Sequence, residues 1–102
     1  MDFGLSNTQH ELINTIFSKY PAVESVIIYG SRAKGTHKPY SDIDLTIVGK
    51  NMTLTILQKI ELELDDLLLP YKFDISVFST IENNELIAHI NRIGKSFYKI
   101  KN

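Results

Sequence analysis

Residues Asp42 to Val48, Asp-Ile-Asp-Leu-Thr-Ile-Val, alternate between polar and apolar side chains. Successive side chains of a strand point to opposite faces, so Ile43, Leu45 and Ile47 are predicted to line a buried face and Asp42, Asp44 and Thr46 the other. Lys72 to Phe78 repeats the pattern, with Phe73, Ile75 and Val77 opposite Asp74 and Ser76. Asp is depleted in strands, so three of them interrupting two strands constrain the fold. The sheet must keep one face apolar and give the other a reason to hold carboxylates.

The remaining segments fit around these strands. Leu12, Ile13, Ile16, Phe17 and Tyr20 recur at the spacing of one helical face, with Thr8 and Glu11 as a capping box and Pro21 as the stop. Val23 to Tyr29 contains a short β-branched run closed by Gly30, which predicts a buried strand. Gly30 to Ser41 is polar, basic and broken by Gly35 and Pro39, as expected of a turn and a loop with room for one helical turn. Leu54, Leu57, Ile60, Leu64, Leu67 and Leu68 predict a second helix with a core-facing stripe, ended by Pro70. Ser79 and Glu82 offer a capping box for a third helix bearing Leu86, Ile87, Ile90 and Ile93, with Gly94 as its cap. Ser96 to Ile100 predicts an edge strand whose lysines discourage further pairing. The fold class is therefore α/β, a short mixed sheet of about four strands with helices packed on it.

At 102 residues, 43% hydrophobic and 23% charged, the chain predicts one folded domain over residues 1–102. No apolar run approaches the roughly 18 residues of a membrane span, and Met-Asp-Phe-Gly lacks the order of a signal peptide, so a cytoplasmic protein is expected. A formal net charge of −1 argues against a strong duplex nucleic-acid binder. Zero cysteines excludes thiolate chemistry and leaves any metal to oxygen or imidazole ligands.

Asp42 and Asp44, two apart on a strand, share a face with Cα atoms about 7 Å apart, and their charges repel unless a cation lies between them. Several Asp oxygens together favour Mg²⁺ or Mn²⁺. Directly after the first strand, Gly30-Ser31-Arg32-Ala33-Lys34-Gly35 supplies exposed backbone N–H groups, a hydroxyl and two cations. A glycine admits close approach, and the start of a helical turn favours an anion. Carboxylates for a metal beside a loop for phosphate predict phosphoryl or nucleotidyl transfer from a nucleoside triphosphate.

Gly30-Ser31, ten residues, then Asp42-Ile43-Asp44 within GSRAKGTHKPYSDIDLTIV resembles the signature of the DNA polymerase β-like nucleotidyltransferase superfamily, most closely its minimal nucleotidyltransferase (MNT) branch. The third carboxylate of that family falls on Asp74. The resemblance implies that Asp42 and Asp44 ligate two Mg²⁺ ions and that Asp74 ligates the catalytic one and helps deprotonate the acceptor. Gly30 and Ser31 would hold the triphosphate of ATP, with Arg32 and Lys34 as further nucleotide-binding cations; Lys34 stands where the branch more usually has Arg. Larger members add a helical domain, so a partner is expected here. The MNT branch implies an antitoxin that transfers AMP to a Tyr of a helical HEPN-domain toxin in a hetero-oligomer. The alternatives are transfer to a small hydroxylated molecule and a non-catalytic toxin-binding module.

Other features have ordinary readings. Gly94-Lys95-Ser96 imitates the end of a phosphate-loop motif, but His89 stands where Gly is required, so a helix cap is expected. His10 and His89 are expected at the surface or core edge, and His37 and Lys38 are loop candidates. Tyr40, Phe97 and Tyr98 are expected to be exposed.

Overall fold

In the computed structural model, which describes residues 2–101, the chain runs α1 (Asn7–Ser18), β1 (Ser25–Tyr29), α2 (Gly30–Lys34), β2 (Ile43–Val48) and α3 (Leu54–Asp65). It continues through β3 (Phe73–Val77), a 3₁₀ turn (Phe78–Thr80), α4 (Asn84–Ile93) and β4 (Lys95–Lys99). One four-stranded sheet has the order β3-β2-β1-β4. β1 pairs antiparallel with β2 and β4, and β2 pairs parallel with β3. Parallel neighbours need a crossover, which α3 supplies. The mixed α/β sheet is the one the alternating segments predict.

The two faces of the sheet have different work. Val26, Ile28, Ile43, Leu45 and Ile47 form one core with Ile13, Ile16 and Phe17 of α1 and Ile60 and Leu64 of α3. Burying each such side chain contributes about 1.5–3 kcal/mol, so this face holds the fold together. Ile27 and Tyr29 of β1, Asp44 and Thr46 of β2, and Asp74 and Ser76 of β3 point the other way by the alternation of the strands. α4 covers the β1 side of this second face: Gly94, at its end, lies so near that an added Cβ would sit 2.6 Å from Ile27 Cγ2. Among the described residues no helix is long and apolar enough to cross a membrane.

Several local expectations are corrected. The capping box of α1 is Ser6 with Gln9, two residues earlier than Thr8 with Glu11. Asn83 caps α4 by accepting the N–H groups of Glu85 and Leu86, while Ser79 sits in the 3₁₀ turn. Gly94 does cap α4, but with φ −57° rather than a left-handed turn; its lack of a side chain clears Ile90 O as well as Ile27. Phe97 is buried against Phe3 and His10 rather than exposed. The α3 stripe is narrower than predicted, because the helix ends at Asp65 and Leu68 turns outward in a left-handed conformation, φ 54°. Leu54 and Leu68 are 69% and 88% exposed, whereas Ile60 and Leu64 are buried.

That placement has a measurable consequence. In urea unfolding, Leu64→Ala is expected to lower stability by about 2–5 kcal/mol, as cavity formation requires. Leu54→Ala is expected to stay within about 0.5 kcal/mol, as for an unburied position. Similar losses for both would contradict the observed face of α3.

Candidate functional site

The site lies on the second face, where β1 ends and β2 and β3 run side by side. The register sets Tyr29 opposite Asp44 and Asp44 opposite Asp74, so a phenol and two carboxylates form one row across three strands. Adjacent strands lie about 4.8 Å apart, which keeps the two carboxylates in direct electrostatic contact. Asp42 ends the loop just before β2 rather than lying within the strand, and it is exposed, as is Asp74; Asp44 is half-buried.

Gly30 explains how Asp44 fits there. It adopts φ +72°, a left-handed conformation, and a Cβ at this position would stand 2.3 Å from Asp44 Oδ2. Only glycine meets both demands, backbone and space. The Gly30 N–H is donated to His89 Nε2 at 3.2 Å, so α4 holds the turn from behind. His89 also packs edge-on against Tyr29, with ring centroids 6.1 Å apart. Sequence reading placed His89 at a surface or core edge and passed over Tyr29. The available signal was the position of His89 beside Leu86 and Ile90 on the apolar stripe of α4.

α2 then carries Ser31, half-exposed, and Lys34, exposed. Gly35, at φ +79°, ends it by donating its N–H to Ser31 O. Lys34 makes no ion pair among the described residues and faces solvent with its charge uncommitted.

Arg32 does not take the place expected of it. Its side chain is 1% exposed, and its guanidinium is spent on backbone carbonyls of Phe3 and Ser41 and on the face of Tyr71. The alternation of the helical turn points it inward while Lys34 points outward. Of the two cations in the loop, Lys34 is the one that keeps its charge at the surface. His37 and Lys38 lie farther along the loop; His37 packs beside Gly4, and Lys38 is exposed.

The electrostatics identify Asp44 as the strained member of the row. Burial first, then the charges of Asp74 and Asp42, push its carboxyl up to about 6, with Arg32 pulling the other way. Tyr29 is also pushed up, by burial and then by Asp74 and Asp44, with Ser76 opposing. Ser76 in turn donates to Thr46 Oγ1 at 2.9 Å. A hard divalent cation fits this donor set: it relieves the repulsion that raises Asp44, and Gly30 preserves the space around the carboxylate. Among the described residues the carboxylates are not drawn together into a preformed three-ligand cluster.

Because the folded protein holds the Asp44 proton more tightly than the unfolded chain, the folded state binds more protons between about pH 4 and 6. The stability owed to neutral Asp44 is therefore full below pH 4 and lost as pH rises through 6. Thermal melting in metal-free buffer is expected to show this fall. Asp44→Asn should remove it and raise stability at pH 7, and an unchanged pH profile in that variant would contradict the assignment.

The sequence profile of the polymerase beta nucleotidyltransferase family matches residues 11–102. No curated protein matches the sequence. Among solved structures, a chain from a toxin–antitoxin complex with AMP-PNP is similar, with a TM-score of 0.71 and 17% identity over 90% of this chain and 74% of that one. A chain from the tri-AMPylated HEPN toxin of Shewanella oneidensis in complex with its MNT antitoxin is similar too, with a TM-score of 0.68 and 13% identity over 94% of this chain and 74% of that one. A third similar chain, from the MntA–HepT toxin–antitoxin complex, has a TM-score of 0.67 and 13% identity over 93% and 74% of the two chains. At these identities the shared property is the fold. The profile match covers most of the chain, and the sheet sets Asp44 beside Asp74 with Gly30 packed against Asp44: the chain belongs to the polymerase beta nucleotidyltransferase family.

Proposed function

We propose that the protein is a metal-dependent antitoxin that transfers AMP from ATP to a tyrosine hydroxyl of a HEPN-domain toxin, acting in the cytoplasm as part of a hetero-oligomer. The observation that carries the reading is the register of Asp44 with Asp74 beside the left-handed Gly30. The likeness of the fold to chains from toxin–antitoxin complexes, one of them AMPylated and one with AMP-PNP, supports the choice of donor and partner.

In this reading Asp42, Asp44 and Asp74 would hold two Mg²⁺ ions, for which Mn²⁺ could substitute, and the metal would supply charge neutralisation of the triphosphate. Ser31 offers its hydroxyl and backbone N–H to phosphate oxygens. Lys34 adds an exposed cation. Gly30 keeps the loop close to Asp44, and His89 fixes the Gly30 peptide so that the next residue presents its groups outward. Asp74, exposed at the edge strand, takes the proton from the attacking hydroxyl. The acceptor oxygen forms a bond to the α-phosphorus as the bond from that phosphorus to the bridging oxygen breaks, and pyrophosphate leaves with the electron pair. Positioning and charge stabilisation account for the catalysis, as in other phosphoryl-group transfers.

Incubation of the protein with α-labelled ATP, Mg²⁺ and the HEPN-domain partner is expected to label a tyrosine of the partner. Replacing both Asp42 and Asp44 by Ala should slow labelling by at least about a thousandfold, the scale lost with a principal electrostatic group. Labelling of small hydroxylated acceptors by the protein alone, with none of the partner, would replace the toxin by a small molecule as acceptor. Full neutralisation of the toxin by the double variant would reduce the role to binding.

A further inference from the structure

Among the described residues Arg32 is the largest fully buried side chain. A buried guanidinium is costly unless its N–H groups are satisfied, and here they are satisfied without a carboxylate partner. Nε and Nη2 donate to Ser41 O at 3.1 and 2.8 Å, Nη2 also reaches Pro39 O at 3.5 Å, and Nη1 donates to Phe3 O at 2.8 Å. The guanidinium carbon lies 4.6 Å from the centroid of the Tyr71 ring.

These partners lie in three separate segments, the N-terminal turn, the loop before β2 and the approach to β3. Arg32 itself follows Ser31. Ser41 immediately precedes Asp42. Tyr71 precedes β3 by two residues, and the next residue, Lys72, accepts the N–H of Ile43 at the start of β2, 2.9 Å away. Phe3 belongs to an N-terminal turn in which Leu5 N–H reaches Asp2 O at 3.0 Å. Within it Phe3 is buried and left-handed, φ 59°, a conformation a bulky residue keeps only when its surroundings enforce it. That strained turn aims the Phe3 carbonyl at Arg32 and closes the cradle.

Resting on the nucleotidyl-transfer reading above, we propose that Arg32 is a positioning residue for the reaction: it locks the phosphate loop, the approach to Asp42 and the entry to the Asp74 strand into one register, without touching the nucleotide. A lysine cannot do this, because a single ammonium has no plane to stack on Tyr71 and no fork to span Phe3 and Ser41. The positive charge stays uncancelled by any direct ion pair and acts through space on Asp44 and Asp42.

The test is amide hydrogen exchange on the metal-free and nucleotide-free protein, paired with steady-state transfer kinetics, for Arg32→Lys and Tyr71→Leu. In Arg32→Lys the amides of residues 31–34 and of residues 41–43 are expected to exchange about tenfold faster together, while α1 and the centre of β1 keep their protection. The loss in transfer should fall on kcat, with KM for ATP changed less than about threefold. Tyr71→Leu, which leaves the hydrogen bonds of Arg32 in place, should loosen the same two segments to a smaller degree; it decides the matter if Arg32→Lys does not fold. Unchanged exchange in the two segments would overturn the proposal, as would a rise in KM alone, which marks a direct phosphate contact. Absence of transfer by the unaltered protein would count against the nucleotidyl-transfer reading, while the exchange data would still show whether Arg32 couples the loops.

Discussion

The rest of the site depends on two carboxylates that the sheet forces together. Parallel pairing sets Asp44 of β2 beside Asp74 of β3, and the half-burial of Asp44 removes part of the water that would otherwise screen them. Slipping β3 by one residue would send Asp74 to the apolar face and Phe73 or Ile75 to the polar one, so the packing of the core fixes the register of the acids. The energy gained at Leu45, Ile47 and Ile28 thus maintains a repulsion a few ångströms away. A fold carrying such a repulsion is prepared for a cation.

Around that row the chain separates the tasks of its basic residues. Lys34 remains outside, exposed and without an ion pair among the described residues. Arg32, two positions earlier on the same short helix, points into the molecule and is held by carbonyls, a geometry that suits its planar fork. Glycines do complementary work: Gly30 yields its side-chain volume to Asp44, and Gly94 lets α4 sit against Ile27, which in turn brings His89 to the Gly30 peptide. The loop is therefore supported from the interior by Arg32 and from the opposite face by His89.

The alternation of Asp42–Val48 and Lys72–Phe78 made both strands, their buried faces and the side of Asp44 and Asp74 legible, because period-two burial depends only on local geometry. The spacing of Gly30-Ser31 from Asp42 and Asp44 was legible for a similar reason: one turn and one loop connect adjacent strands. His89 was not, since its approach to Gly30 spans 59 residues and depends on how α4 lies across β1. Arg32 misled because a cation in a polar loop ordinarily points to solvent, and only the tertiary arrangement of Phe3, Ser41 and Tyr71 gives it a reason to be inside. Leu54 and Leu68 misled because composition extended the α3 stripe beyond the turn in which the helix contacts the sheet. Helix starts slipped where two hydroxyl or amide side chains competed for the cap, as Ser6 prevailed over Thr8 and Asn83 over Ser79.

The central claim, that the carboxylate row and the loop after β1 form one metal–triphosphate site, is most directly tested by diffraction from crystals grown with Mn²⁺ and AMP-PNP, using the anomalous signal of manganese. Manganese peaks at Asp42 and Asp44, with triphosphate density at Ser31 and Lys34 and Arg32 still in its carbonyl cradle, are the predicted result. Nucleotide bound elsewhere, or manganese absent from Asp42 and Asp44 when the nucleotide is in place, would contradict it.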